Sequence, residues 1–378
     1  MANLLDQASI VLTPTAYDNG KVLCAKPIDG SGDFDFSRNS AATRVNSQGL
    51  VEDVQIISGN KITNGDFSNG STDWIIEAAW TISGGVANGN GANGSNEELA
   101  QQSVFTVGKT YTITYEVKNY VSGSVRIRKP DGTTRSANGV YTETLLGTSS
   151  GIIFRGGNFN GSITNIIAKE ITNDTNLPRI NYEGFSFDGS GDIIPDSGCG
   201  SWLWEPQSTN LYLNSETLST QTITTTANQY SVSFYGTGTI TFSGTHTGSL
   251  IGTGLNDRVT ATFSATAGTL TSTVSGTVTK SQIEQLSFAT SYIPTTTTSV
   301  TRNQDLCTNG GSVSTINSTE GVLYAEIASL TQDDTLRLIG LNDGSTQNRV
   351  NITYNNQTNE LIFSCRVNDV NEFLFTKT

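Results

Sequence analysis

Residues 111–121 read YTITYEVKNYV, and residues 123–135 continue as GSVRIRKPDGTTR. In the first stretch Tyr111, Ile113, Tyr115 and Val117 alternate with Thr112, Thr114, Glu116 and Lys118. That is the period of two expected of a strand with one face on a core and the other toward water. The second stretch repeats the alternation up to a Pro130-Asp131-Gly132 turn signal, so the two are expected as half-buried antiparallel strands. The same period recurs at residues 230–236 (YSVSFYG), 238–244, 257–265, 270–279, 321–330 (GVLYAEIASL), 335–343, 349–356 and 360–367 (ELIFSCRV). No window of useful length carries helical spacing with caps at both ends. The expectation is an all-β chain.

Composition agrees. Of 378 residues 35% are hydrophobic and only 15% charged, with 39 glycines, the balance of short strands and turns. The length suits several domains of ordinary size. A net charge of −13 leaves no clustered cations for phosphates, so nucleic acid is not an expected partner. No apolar run reaches the roughly 18 residues needed to cross a bilayer, and membrane insertion is not expected. The first 20 residues have neither a basic region nor an apolar one of the secretory kind, so synthesis and folding are expected in a cytoplasm. Cys24, Cys199, Cys307 and Cys365 are far apart without a CxxC pair, and with one histidine there is no zinc-ligand spacing; free thiols are expected.

Catalysis finds little to draw on. His246, the sole histidine, lies in the turn-like FSGTHTGS (242–249) and reads as a surface residue, not the base of a nucleophilic triad. Glycoside hydrolysis needs two carboxylates held apart on rigid strands. Glu97, Glu98, Asp131 and Glu143 fall in polar loops or at strand edges, and nothing pairs them; the chain is not expected to be an enzyme. Glycan binding uses exposed aromatic faces flanked by polar side chains. Trp80, Tyr120 and Tyr141 are the candidates for it, whereas Trp74 and Tyr115 read as core. Trp202 and Trp204 straddle a strand-like stretch, so one is expected to face inward and the other outward.

Four separated segments carry a resemblance. Residues 33–53 read DFDFSRNSAATRVNSQGLVED, residues 177–184 LPRINYEG, residues 202–216 WLWEPQSTNLYLNSE and residues 288–303 FATSYIPTTTTSVTRN. Together they resemble a recurring module of tailed-bacteriophage fibres and minor virion proteins, matching at Arg38, Ser40, Thr43, Arg44, Val45, Asn46, Gly49, Leu50 and Glu52. Further matches are Pro178, Arg179, Glu205, Pro206, Gln207, Thr209 and Asn210, then Gln285, Ser291, Tyr292, Ile293 and Pro294. In a chain so poor in cations, Arg38, Arg44 and Arg179 are expected to serve assembly as partners of carboxylates or strand-end carbonyls, with Glu52 and Glu205 as the candidate acids.

A second resemblance lies in TNGDFSNGSTDW (63–74), which is similar to the opening of carbohydrate-binding-module-like jelly rolls at Asn64, Gly65, Asp66, Phe67, Gly70 and Trp74. A weaker copy starts at LNSETLST (213–220). Such modules imply a structural calcium ion, with oxygen ligands at Asn64 and Asp66 and further candidates at Asn69 and Asp73. The other reading, turn hydrogen bonds without a metal, is favoured; no other cofactor is expected. From about Ser318 the chain resembles the opening strands of a concanavalin-like (laminin-G-like) sandwich, of which only part is present.

The expected layout is therefore tandem jelly-roll or β-sandwich domains with an extended N-terminal anchoring arm. Residues 1–61 form the anchoring segment, 62–172 a first jelly roll inserted into its host module, 173–212 a return or linker segment, 213–300 a second jelly roll and 301–378 the partial sandwich. The resemblance implies a virion structural protein, a surface appendage such as a tail fibre, tail spike or head fibre. It would dock on other virion proteins (capsid, portal or tail) through its N-terminal arm, act as a homotrimer and take a host-surface glycan as ligand. A secreted glycan-binding adhesin is the alternative, and a polysaccharide depolymerase stands behind both.

Overall fold

The computed structural model describes residues 4–92, 97–182, 185–187, 193–195, 200–317, 320–328, 337–355 and 360–377. Cys199 lies outside the described residues. Two compact units share the chain: Gln55–Asp174 forms one, and Met1–Val54 with Thr175–Thr378 forms the other, into whose sequence the first is set. Among the described residues the only helix is α1 (Leu4–Gln7). β1 (Tyr17–Asp18), β2 (Lys21–Val22) and β3 (Phe34–Ser37) are antiparallel neighbours, and β4 (Thr43–Val45) pairs with β5 (Val51–Asp53) so that Arg44 faces Glu52. The turn between them follows from its residues. The Asn46 side-chain oxygen accepts the N–H groups of Gln48 and Leu50, each at 3.0 Å, and Gly49 sits at φ 76°, a left-handed conformation that glycine adopts without strain. These residues are not set apart as an extended arm. Val22, Phe36 and Arg38 are 0%, 4% and 2% exposed, and groups of this kind reach such burial only inside a packed unit.

The inserted unit contains β6 (Ile56–Asn60), β7 (Ile75–Ile76), β8 (Trp80–Ser83), β9 (Val86–Asn90), β10 (Glu98–Gln101), β11 (Thr110–Lys129), β12 (Gly139–Leu146) and β13 (Ile152–Asn173). The strands expected at 111–121 and 123–135 are one strand, β11, which runs along most of β13 with register shifts around Ser122. At Gly123 the chain bends without reversing: φ is 76°, and a Cβ there would lie 2.1 Å from the Asn158 carbonyl oxygen. The β11–β13 ribbon is flanked by β12 on one side and by β10, β9 and β6 along the other. Its buried face carries Tyr111, Ile113, Tyr115, Val117, Phe154 and Phe159 in one apolar core. Ile56 pairs with Asn173, and Lys61 N donates to the Ala168 carbonyl at 2.7 Å, so the first and last strands of the unit are neighbours.

The other unit resumes with β14 (Ile180–Asn181), β15 (Phe185–Phe187), β16 (Ile193–Pro195), β17 (Ser201–Trp202) and β18 (Ser208–Asn210). There follow β19 (Gln221–Thr225), β20 (Asn228–Gly236), β21 (Thr239–Gly244), β22 (Gly248–Ile251), β23 (Gly254–Ala265), β24 (Gly268–Ser275) and β25 (Thr279–Glu284). The sheets β19-β24-β21-β22 and β23-β20-β25 share a core of Tyr212, Tyr230, Val232, Phe234, Ile240, Leu270 and Ile283, a two-sheet sandwich. β26 (Val300–Arg302) pairs with β18, and β27 (Leu306–Thr308) returns to pair with β3. β28 (Arg337–Asn342), β29 (Arg349–Asn355), β30 (Glu360–Val367) and β31 (Val370–Lys377) form an antiparallel meander. Its register puts Ile339, Ile352, Phe363 and Phe375 in one file. Of the strand expected at 321–330, residues 321–328 are described and show no strand pairing among the described residues, and Val322 and Tyr324 are exposed. The stretch 173–212, expected as a linker, instead holds Leu177, Arg179, Asn210 and Tyr212, all nearly inaccessible to solvent. The chain is all-β, with sandwich-type domains.

Candidate functional site

The most elaborate side-chain constellation is a buried centre of arginines and carboxylates built from segments far apart in sequence. Arg179 follows Leu177 into the interior beside β14. Its Nη1 donates to Glu205 Oε2 at 2.7 Å, to Ser291 Oγ at 2.5 Å and to the Thr43 carbonyl at 3.3 Å, while its Nη2 donates to Asp305. Arg38 donates from Nε to the Ser40 carbonyl at 2.8 Å and from Nη1 to the Leu177 carbonyl at 3.0 Å and to Asp305 Oδ1 at 3.1 Å. Arg302, at the end of β26, reaches Glu205 at 2.9 Å, Ser291 Oγ at 2.9 Å and the Pro206 carbonyl at 3.0 Å. Glu205 also accepts the Ser291 N–H at 2.8 Å, and the Glu205 N–H donates to Asp305 Oδ2 at 2.9 Å. All five charged side chains are at most 3% exposed.

Burial sets the electrostatics and the neighbours correct it. Removal from water alone would raise the Glu205 carboxyl, but Arg302, Arg179 and the Ser291 hydrogen bonds overcome this and hold it at about 2, below its usual 4.5. Burial lowers Arg38 to about 10, Asp305 offsetting part of the effect, so the group stays charged at neutral pH. Burial opposes the charge of Arg179 as well, yet Glu205 and Asp305 carry its pKa above the ordinary arginine value. Nearby, burial raises Glu284 despite hydrogen bonds from Ser208 and Thr290. The centre holds both carboxylates with several donors, Glu205 with Arg179, Arg302 and Ser291, and Asp305 with Arg38, Arg179 and the Glu205 N–H. Its chemistry is cohesion, tying residues 38–45, 177–181, 205–210, 291–293 and 302–305 together.

The assembly candidates fall into two settings. Arg179 meets Glu205 inside the centre, whereas Arg44 meets Glu52 at 2.8 Å across the β4–β5 hairpin, with side chains 24% and 38% exposed. Arg38 meets neither candidate acid; Asp305 takes it. Asp305 and Arg302 went unrecognised in the sequence. The signal was there, in Thr301-Arg302-Asn303 followed by Asp305 in a chain with few cations. Some other matched residues bind alongside: Thr43 Oγ1 donates to the Tyr292 carbonyl at 2.6 Å, and Asn210 Nδ2 donates to the carbonyls of Ser281 and Ile293 at 3.0 and 2.8 Å.

The glycan candidates are not brought together as a platform. Trp80 is 2% exposed and packs on Phe159 at 5.9 Å, so its indole belongs to the core and presents no face to a sugar. Tyr120 is partly exposed, with its hydroxyl donated to the Gly123 carbonyl at 3.0 Å. Tyr141 is partly exposed too, its hydroxyl on the Ala137 carbonyl at 2.9 Å, but the Arg135 guanidinium lies 4.6 Å from its ring centre and occupies a face. Trp202 and Trp204 do not face opposite ways. They stack at 5.8 Å and 20°, as residues two apart on an extended segment share a side.

The calcium candidates spend their polar atoms on the loop. Asn64, at φ 48°, donates from Nδ2 to the carbonyls of Gly70 and Thr72, both at 2.9 Å, and accepts the Asn69 N–H at 3.0 Å. Asp66 accepts from the Ser68 N–H and hydroxyl, which lowers its pKa. Asn64 is thus the organiser of a turn, and its carbonyl holds the Trp74 indole N–H at 2.9 Å. Among the described residues no group of three or more His, Cys, Asp or Glu side chains is arranged to hold a metal ion, and no helix is long and apolar enough to cross a membrane.

No protein-family model matches the chain, and no curated protein matches it. Among solved structures it is similar to the N-terminal CBM22-1-CBM22-2 tandem domain of Paenibacillus barcinonensis Xyn10C, at 11% identity and a TM-score of 0.22 over 62% of this chain and 98% of that one.

Proposed function

We propose that the chain is a structural protein of a tailed-bacteriophage virion, a surface appendage of the tail-fibre, tail-spike or head-fibre kind. One observation supports the reading above others. Several residues through which the sequence resembles that module, among them Arg38, Thr43, Arg179, Glu205, Asn210 and Ser291, lie together in and around one buried centre, as parts of a single module would. In this reading the role is mechanical and not enzymatic. The chain is made in the host cytoplasm and resides in the virion, docked through its N-terminal segment on other virion proteins and associated with further copies of itself as a trimer. A host-surface glycan is its ligand class. Immunogold labelling of intact particles with antibody to this chain tests the proposal: label at the tail or the capsid surface is the expected result. Label confined to the surface of uninfected bacteria would overturn it in favour of a secreted adhesin.

A further inference from the structure

We infer that the stacked pair Trp202 and Trp204, continued by Tyr17, is a saccharide-binding site; the inference rests on the ligand class of the appendage reading and gives it a location. Trp74 and Trp80 are buried, whereas Trp204 is 40% exposed. It stands in a row of rings: Tyr17 to Trp202 at 6.3 Å, Trp202 to Trp204 at 5.8 Å, and Trp204 to Phe36 at 5.8 Å. The backbone on both sides of this exposed indole is held in place. The Leu203 N–H donates to the Arg179 carbonyl at 3.0 Å and the Glu205 N–H to Asp305 at 2.9 Å, so both peptide neighbours of Trp204 are fastened to the buried centre.

The result is a rigid apolar surface that loses little conformational freedom when a ligand settles on it. The C–H face of a pyranose ring is the complement of such a surface, and its hydroxyls require polar groups at the margin. Arg44 and Glu52 supply them: Arg44 Nη1 donates to the Tyr17 hydroxyl at 3.3 Å, and both charged side chains are partly exposed. Trp204 is the exposed ring of the row, Tyr17 and Trp202 being half-buried and Phe36 buried, so a saccharide reaches the row there. A net charge of −13 favours neutral or basic sugars over polyanionic ones.

Isothermal titration of the purified full chain with maltohexaose, cellohexaose, chitohexaose and a mannohexaose tests the site. At least one is expected to bind, Trp204→Ala to weaken it by about tenfold or more, and Trp204→Phe to retain part of the affinity. Tyr120→Ala and Tyr141→Ala should bind as the parent does. Independently of any variant, saturating saccharide should slow amide exchange across residues 201–205 and leave 74–83 unchanged. Binding of no member of the panel, unchanged affinity in Trp204→Ala, or protection confined to residues 55–174 would overturn the inference. Sugar binding by the purified chain without label on virions would leave this site standing and remove the virion reading. Labelled virions whose protein binds no sugar would do the reverse.

Discussion

Replacing Arg179 by alanine tests whether the buried centre holds its unit together. The side chain is 0% exposed and is shared among Glu205, Ser291, Asp305 and the Thr43 carbonyl. Removing one partner of a buried ion pair typically costs about 3–5 kcal/mol, because the charge left behind has lost its compensation inside a low dielectric. Arg302 remains on Glu205 and Arg38 on Asp305, which softens the loss. The cavity and the unpaired Thr43 carbonyl push it back up, so the whole range is retained as the expectation. Arg44→Ala is the control: its pair with Glu52 is partly exposed and should contribute under about 1 kcal/mol. Hydrogen exchange followed by mass spectrometry is the suitable assay, since a chain of two units does not unfold as one transition. At about 1.4 kcal/mol per tenfold, protection of the β4, β14 and β18 amides should fall by roughly two to three and a half powers of ten, with β10 and β13 unaffected. A loss under about 1 kcal/mol at those amides, or an equal loss in the inserted unit, would refute the reasoning.

Other outcomes can be checked directly. Glu205 is a carboxyl whose folded pKa, about 2, lies below its ordinary 4.5, so its contribution is complete above pH 4.5 and is lost as pH falls toward 2. Glu284, raised by burial, acts with the opposite sign but only above 4.5, where it would otherwise ionise. Acid titration of stability should therefore show wild type approaching Glu205→Gln between pH 4.5 and 2; a constant difference through that window would contradict the assignment. Excising Gln55–Asp174 and joining Val54 to Thr175 with a short Gly/Ser bridge should leave the remainder soluble and cooperative, since closing such a loop costs on the order of a few kcal/mol. Insolubility would mean that the inserted unit is required for its host to fold. Asn64→Ala should destabilise the inserted unit by about 1–3 kcal/mol through its lost turn hydrogen bonds, and chelation with EDTA should not move the parent's melting temperature. A drop with EDTA, reversed by calcium, would restore the metal reading.

Strand content was legible where one face was wet, because alternation is then written into the residues: β11 buries Tyr111, Ile113, Tyr115 and Val117 and leaves Thr112, Thr114 and Glu116 half-exposed, as the pattern marks. Where the backbone itself decides, the sequence is ambiguous. Gly123 is as good a residue for a reversal as for a bend, and it is the continued pairing with β13 on both sides that makes it a bend. At 321–328 the alternation is present without a partner strand among the described residues, and periodicity alone cannot supply one. Of the site, Glu52 and Glu205 were readable as candidate acids, though not which arginine each would meet. Asp305 was not, since a partner 267 positions from Arg38 is chosen by tertiary packing. Trp80 shows the converse limit, as a buried indole and a sugar-stacking one are the same letter.

The same long separations impose an order in time. Arg38 and Thr43 leave the ribosome early, but the carboxylate that neutralises Arg38 is residue 305. At roughly 5–20 residues per second, about 250 further residues take on the order of 10–50 s to emerge after Val54. Until the end of that interval Arg38 lacks its carboxylate, whereas Gln55–Asp174 has all its own strands once β13 has emerged and can fold first. The inserted unit is then finished while its host is not, and the host completes its buried centre only when residue 305 arrives.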